Sequence, residues 1–159
     1  MDYFQGVVTE YLRAKRSVFL NPECLLSLDE GKQLKGRHWY CDVVAVDFKE
    51  QSVSLCEITY STTAQSLLGR LCAWREHWPE LVHAVRRDCG VPEGWTVRPW
   101  IFLPEKYETK FSERYALLCG SQKSKSAMPE PRVTHLESTV PWKYLVTWDR
   151  KLDDIASGA

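Results

Sequence analysis

Asp42 and Glu57 are the residues whose type and spacing point most directly to chemistry. They lie near the outer ends of two apolar runs in WYCDVVAVDFKEQSVSLCEITYS, residues 39–61. The polar turn Lys49-Glu50-Gln51 separates the runs. Runs rich in Val, Leu and Ile around such a turn predict an antiparallel hairpin. With the turn centred between Lys49 and Glu50, Asp42 stands opposite Glu57, Val44 opposite Leu55 and Val46 opposite Val53. Side chains alternate faces along a strand, so one face carries the four aliphatic residues and ends in two acids. Opposed Cβ atoms are about 4.5–5.5 Å apart, and like charges there are destabilising until something neutralises them. A divalent cation does so. Mg2+ takes one or two carboxylates, several waters and phosphate oxygens. It also lowers the pKa of a bound water and offsets charge on a phosphate under attack. Two other uses of the acids stay open: both mark strand ends near solvent, or one pairs with a nearby Arg. A register slip of one residue would send them to opposite faces.

Several elements are needed to position such a pair. Phe4, Val7, Val8, Tyr11 and Leu12 recur at helical spacing and predict an amphipathic helix over residues 3–16, with Glu10 on the flank of the stripe. Asn21 and Pro22 then punctuate the chain, and 23–38 read as irregular, with a short apolar run at 24–28 and a polar loop around Gly31 and Gly36. Leu67, Leu71, Trp74 and Trp78 predict a helix over 62–78, capped by Thr62 or Thr63. Pro79 suits the first residue of a further short helix to Arg87, and Gly90 its stop. A third strand is expected at 96–103, a helix at 105–119 and β-like pieces at 132–136 and 142–148. The Gly/Ser/Pro/Lys stretch 120–132 reads as a mobile loop and 151–159 as a fraying tail. No internal repeat is visible, and 159 residues suit a single domain.

The formal net charge is +0, so whole-chain charge gives no argument for nucleic-acid binding, and local patches must carry it. The clearest is Lys32, Lys35, Arg37 and His38; Arg13, Lys15 and Arg16 form a second. A solvated face is the plainer reading of either patch. None of the six Cys stands in C-x-x-C spacing, and the four His are scattered, which argues against a structural zinc site. No secretory signal or membrane-length apolar run is seen, so the expectation is a cytoplasmic protein with reduced thiols and no membrane contact. No nucleophile elbow or phosphate-binding Gly-rich loop is present. Trp39, Tyr40 and Tyr60 flank the two acids, where they could stack on bases or fill a core.

Taken together, these features resemble the PD-(D/E)XK nuclease superfamily, which includes restriction endonucleases, Holliday-junction resolvases and transposon-end nucleases. Gly6-Val7-Val8-Thr9-Glu10 resembles its helix motif, Cys41-Asp42-Val43-Val44-Ala45-Val46 its "PD" strand and Leu55-Cys56-Glu57-Ile58-Thr59 its E-x-K strand. The likeness covers roughly residues 3–103. It implies an α/β fold with a restriction-endonuclease-like core, a mixed central sheet flanked by helices. It implies a DNA endonuclease using Mg2+ or Mn2+, held by Asp42, Glu57 and the backbone carbonyl of Ile58. Glu10 would be an outer carboxylate, with an ordinary surface glutamate as its other reading. The departure is Thr59, which stands where the family has Lys and supplies no positive charge. Gln65 or Arg70 on the next helix could project a replacement, and with Lys35 and Arg37 they are candidate contacts to phosphate. The alternative is a nuclease-fold module without cleavage, binding DNA or protein within a DNA-processing or mobile-element complex. A protein partner or a homodimer is compatible with either.

Overall fold

The computed structural model describes residues 1–26, 39–120 and 127–141. Lys35, Arg37, the strand expected at 142–148 and the tail 151–159 lie outside them. Helix α1 (Tyr3–Arg13) is followed by β1 (Val18–Leu25), the hairpin β2 (Tyr40–Asp47) and β3 (Ser52–Ile58), and helices α2 (Gln65–Glu76) and α3 (Trp78–Cys89). Then come β4 (Thr96–Leu103), a 3-10 turn (Glu105–Tyr107), α4 (Glu108–Gly120) and β5 (Arg132–His135).

The five strands form one mixed sheet in the order β1-β2-β3-β4-β5. β2 runs antiparallel to both its neighbours, while β3, β4 and β5 are mutually parallel. Parallel neighbours need a crossover, which α2 and α3 supply between β3 and β4, and α4 between β4 and β5. The sheet is apolar on both sides. On one, Val44, Val53, Leu55, Val97 and Ile101 pack with Leu67, Leu71 and Trp74 of α2, Leu81 of α3 and Phe111 and Tyr115 of α4. On the other, Val43, Ala45, Cys56, Trp100 and Phe102 pack against Val8 and Leu12 of α1. The result is three layers, which is why β4 reads as an almost unbroken apolar run. All six cysteines are free thiols.

The expected hairpin, its register and the strand at 96–103 are present as drawn from the sequence: Val44 opposes Leu55 and Val46 opposes Val53. Asp47 fixes the turn by accepting hydrogen bonds from Ser17 Oγ and from the Lys49 and Glu50 N–H groups. Two expectations need correction. The stretch around Asn21-Pro22 is not punctuation but the body of β1. Pro cannot donate to a ladder and is tolerated because β1 is an edge strand. Neither Thr62 nor Thr63 caps α2: Ala64 holds that position at φ 48° without a side-chain cap. Ser61 Oγ instead accepts from the Thr63 and Ala64 N–H groups. Gly90 does end α3, at φ 65°, in the left-handed region that favours glycine.

Candidate functional site

At the open end of the hairpin the ladder gives way to side chains. The last regular pair is Val43 with Cys56. One step further, the Asp42 N–H donates to Glu57 Oε1 at 3.3 Å, and the Ile58 N–H donates to Asp42 Oδ2 at 2.8 Å. Each acid thus takes a backbone donor from the opposite strand. On the β1 side the paired residues are Pro22 with Val43 and Cys24 with Cys41, and Glu23 between them sits at φ 52°. The left-handed region costs a non-glycine residue on the order of 1 kcal/mol, so the edge strand is strained beside Asp42.

Both acids are buried, Asp42 at 7% and Glu57 at 3% exposure. Helices from opposite layers reach them. From α1, Gln5 Nε2 donates to Asp42 Oδ1 at 2.9 Å, while Gln5 Oε1 closes a capping box on the Asp2 N–H. From α2, the Arg70 guanidinium pairs with Glu57 Oε2 and lies over the Tyr40 ring, 5.5 Å from its centroid. Arg70 Nε is buried with no hydrogen-bond partner among the described residues. All four carboxylate oxygens therefore accept a protein donor. The charges do not balance: with both acids ionised, one guanidinium faces two carboxylates.

Burial governs their ionisation. Burial pushes the Glu57 carboxyl up to about 8, the Asp42 charge adds to it, and Arg70 with the Asp42 N–H pulls the other way. Burial raises the Asp42 carboxyl as well, against the Ile58 N–H, Arg70 and Gln5.

Of the residues singled out from the sequence, Asp42, Glu57, Ile58 and Arg70 come together. Thr59 lies at the border. Its N–H donates to Phe102 O, extending the β3–β4 pairing, and its Oγ1 accepts from the Ser61 N–H. Glu10 is exposed on α1 and pairs with Arg13 at 2.9 Å. Among the described residues no three acid, His or Cys side chains form one cluster, so Glu10 does not join the pair. Gln65 is exposed at the start of α2. Gln5 was not anticipated. The only sequence signals for it are the Asp2-x-x-Gln5 capping box and its place three and seven residues before Val8 and Leu12.

Among the described residues no helix is long and apolar enough to cross a membrane. The chain matches no known family model, no curated protein and no solved structure.

Proposed function

We propose that this chain is a metal-dependent DNA endonuclease with a restriction-endonuclease-like core, acting in the cytoplasm. The observation that carries the reading is the buried acid pair served by a single guanidinium, so that burial keeps a proton on Glu57 up to about pH 8. Burying unneutralised charge is costly, and a divalent cation would take over the neutralising role of that proton. The donor set fits Mg2+ or Mn2+: two carboxylates that keep spare lone pairs, brought together by the Asp42 and Ile58 N–H groups. Asp42, Glu57 and the Ile58 carbonyl would hold the ion. When bound, it would activate water and offset charge on the scissile phosphate.

The chain's own residues supply the rest. Gln5 and the Ile58 N–H fix the Asp42 carboxylate, leaving it little freedom to turn. Arg70 brings positive charge to the pair from α2, which offsets the lack of charge at Thr59. The order of elements also supports the reading, with a helix, a hairpin carrying the acids, a helical crossover and a parallel strand.

A second reading is favoured by one observation. Because Arg70 already pairs with Glu57 and every carboxylate oxygen has a donor, the network is self-sufficient enough for a module that binds DNA or protein without cutting. Calorimetric titration with Mn2+ separates the two. Binding at one site, lost in Asp42→Asn and in Glu57→Gln, is expected of the nuclease. No binding by the folded wild-type chain favours the module.

A further inference from the structure

Next to the acid pair lies an exposed aromatic cluster that the cleavage chemistry leaves unused. The rings of Phe4 and Tyr60 stack at 4.6 Å with 7° between their planes. Tyr3 meets Phe4 edge-on at 5.4 Å, and Tyr107 meets Tyr60 edge-on at 6.3 Å. Lys106 Nζ stands 5.7 Å from the Tyr60 centroid and 4.8 Å from that of Tyr107. Phe4 and Tyr107 are half-buried and pack against the core, while Tyr3 is 77% exposed and Tyr60 50%.

The cluster is tied to the acids through the backbone. Phe4 precedes Gln5, and Tyr60 follows Ile58 by two residues, while Gln5 and Ile58 are the donors that hold the two oxygens of Asp42. Consecutive Cα atoms are about 3.8 Å apart, so the Tyr60 Cα is within about 8 Å of that of Ile58.

We propose that Tyr60 and Lys106 form a nucleotide platform beside Asp42 and Glu57, where an unpaired base stacks on Tyr60 and an adjoining phosphate pairs with Lys106. The inference rests on the DNA reading above and adds a preference for DNA with unpaired bases at the site: ends, flaps and bubbles. Stacking on an aromatic face is open to any base. Bases inside a duplex already have both faces covered and must leave the stack first. An exposed cation–π contact is weaker than base stacking, so an arriving base displaces the ammonium from Tyr60. The flexible stem of Lys106 lets its charge move to a phosphate.

The test is fluorescence anisotropy of a labelled single-stranded oligothymidylate in EDTA, with the full chain, Tyr60→Ala, Tyr60→Phe and Lys106→Gln. Tyr60→Ala should weaken binding roughly tenfold and Tyr60→Phe by no more than about twofold. Lys106→Gln should lower the slope of log K against log salt by about 0.7. Equal binding by Tyr60→Ala and wild type overturns the platform. So does a loss in Tyr60→Phe as large as in Tyr60→Ala, since the ring is then not what matters, or no binding at all by folded chain. Thermal melting checks that Tyr60→Ala is folded. The two readings fail separately. Ring-dependent binding without metal-dependent cutting keeps the platform and removes the nuclease. Cutting with ring-independent binding does the reverse.

Discussion

Titrating Glu57 should change the stability of the fold in the direction opposite to that of a salt-bridged surface carboxylate. Its carboxyl ionises near 4.5 in ordinary surroundings and near 8 here, mainly through burial. Between those values the native state keeps the proton and the unfolded chain has lost it. The contribution of Glu57 to stability is therefore fully present below about pH 4.5, falls as pH rises, and is lost above about pH 8. At about 1.36 kcal/mol per pKa unit the whole fall is at most about 5 kcal/mol. Asp42, raised in the same sense, adds to it at the acid end. The assay is urea unfolding in EDTA at pH 5, 6, 7 and 8, followed by the fluorescence of the seven tryptophans. Glu57→Gln cannot ionise and should flatten the profile. Mn2+ competes with the proton, so it should stabilise the wild type more at pH 8 than at pH 5. At a hundred times Kd the gain is about 2.7 kcal/mol. Wild-type stability that rises from pH 5 to 8, or a Glu57→Gln profile as steep as wild type, would refute the reasoning.

Arg70→Ala leaves Glu57 buried without its cation and should cost about 3–5 kcal/mol at pH 8. The loss should shrink at pH 5, where Glu57 holds a proton; equal losses at both pH values in urea melts would count against the pairing. Gln5→Ala removes a charge-assisted hydrogen bond and half of a capping box, at a cost of about 1–3 kcal/mol by the same assay. Its infrared carboxylate band should show Asp42 protonating at higher pH than in wild type.

Much of the site was legible because hairpin register is a strong constraint. Polar turn residues and alternating Val and Leu left one arrangement that buries the aliphatic face, with Val44 opposite Leu55 and Val46 opposite Val53, and one step beyond the last regular pair the Asp42 N–H reaches Glu57 Oε1. The role of Arg70 was less legible. Its signal was there: three residues after Leu67 and four before Trp74, it places a cation along the apolar stripe of a buried helix. That pattern says the charge has a buried partner but not which one. Gln5 was beyond reach for a different reason. It comes from the layer opposite α2, and which helix covers which face depends on crossovers that periodicity does not record. β1 was hidden by Asn21-Pro22, since an edge strand tolerates a proline that a central strand would not. Likewise Ala64 has no turn chemistry in its side chain, yet it enters α2 at positive φ because Ser61 holds the neighbouring N–H groups.

The most direct measurement is cleavage of linear duplex, supercoiled plasmid, single-stranded and branched DNA by the purified chain, with Mg2+, Mn2+ or EDTA, beside Asp42→Ala and Glu57→Ala. The account predicts cutting that needs the metal and disappears in both variants while their fold remains. Cutting retained in both variants, or no cutting of any substrate by folded wild-type protein, would contradict it.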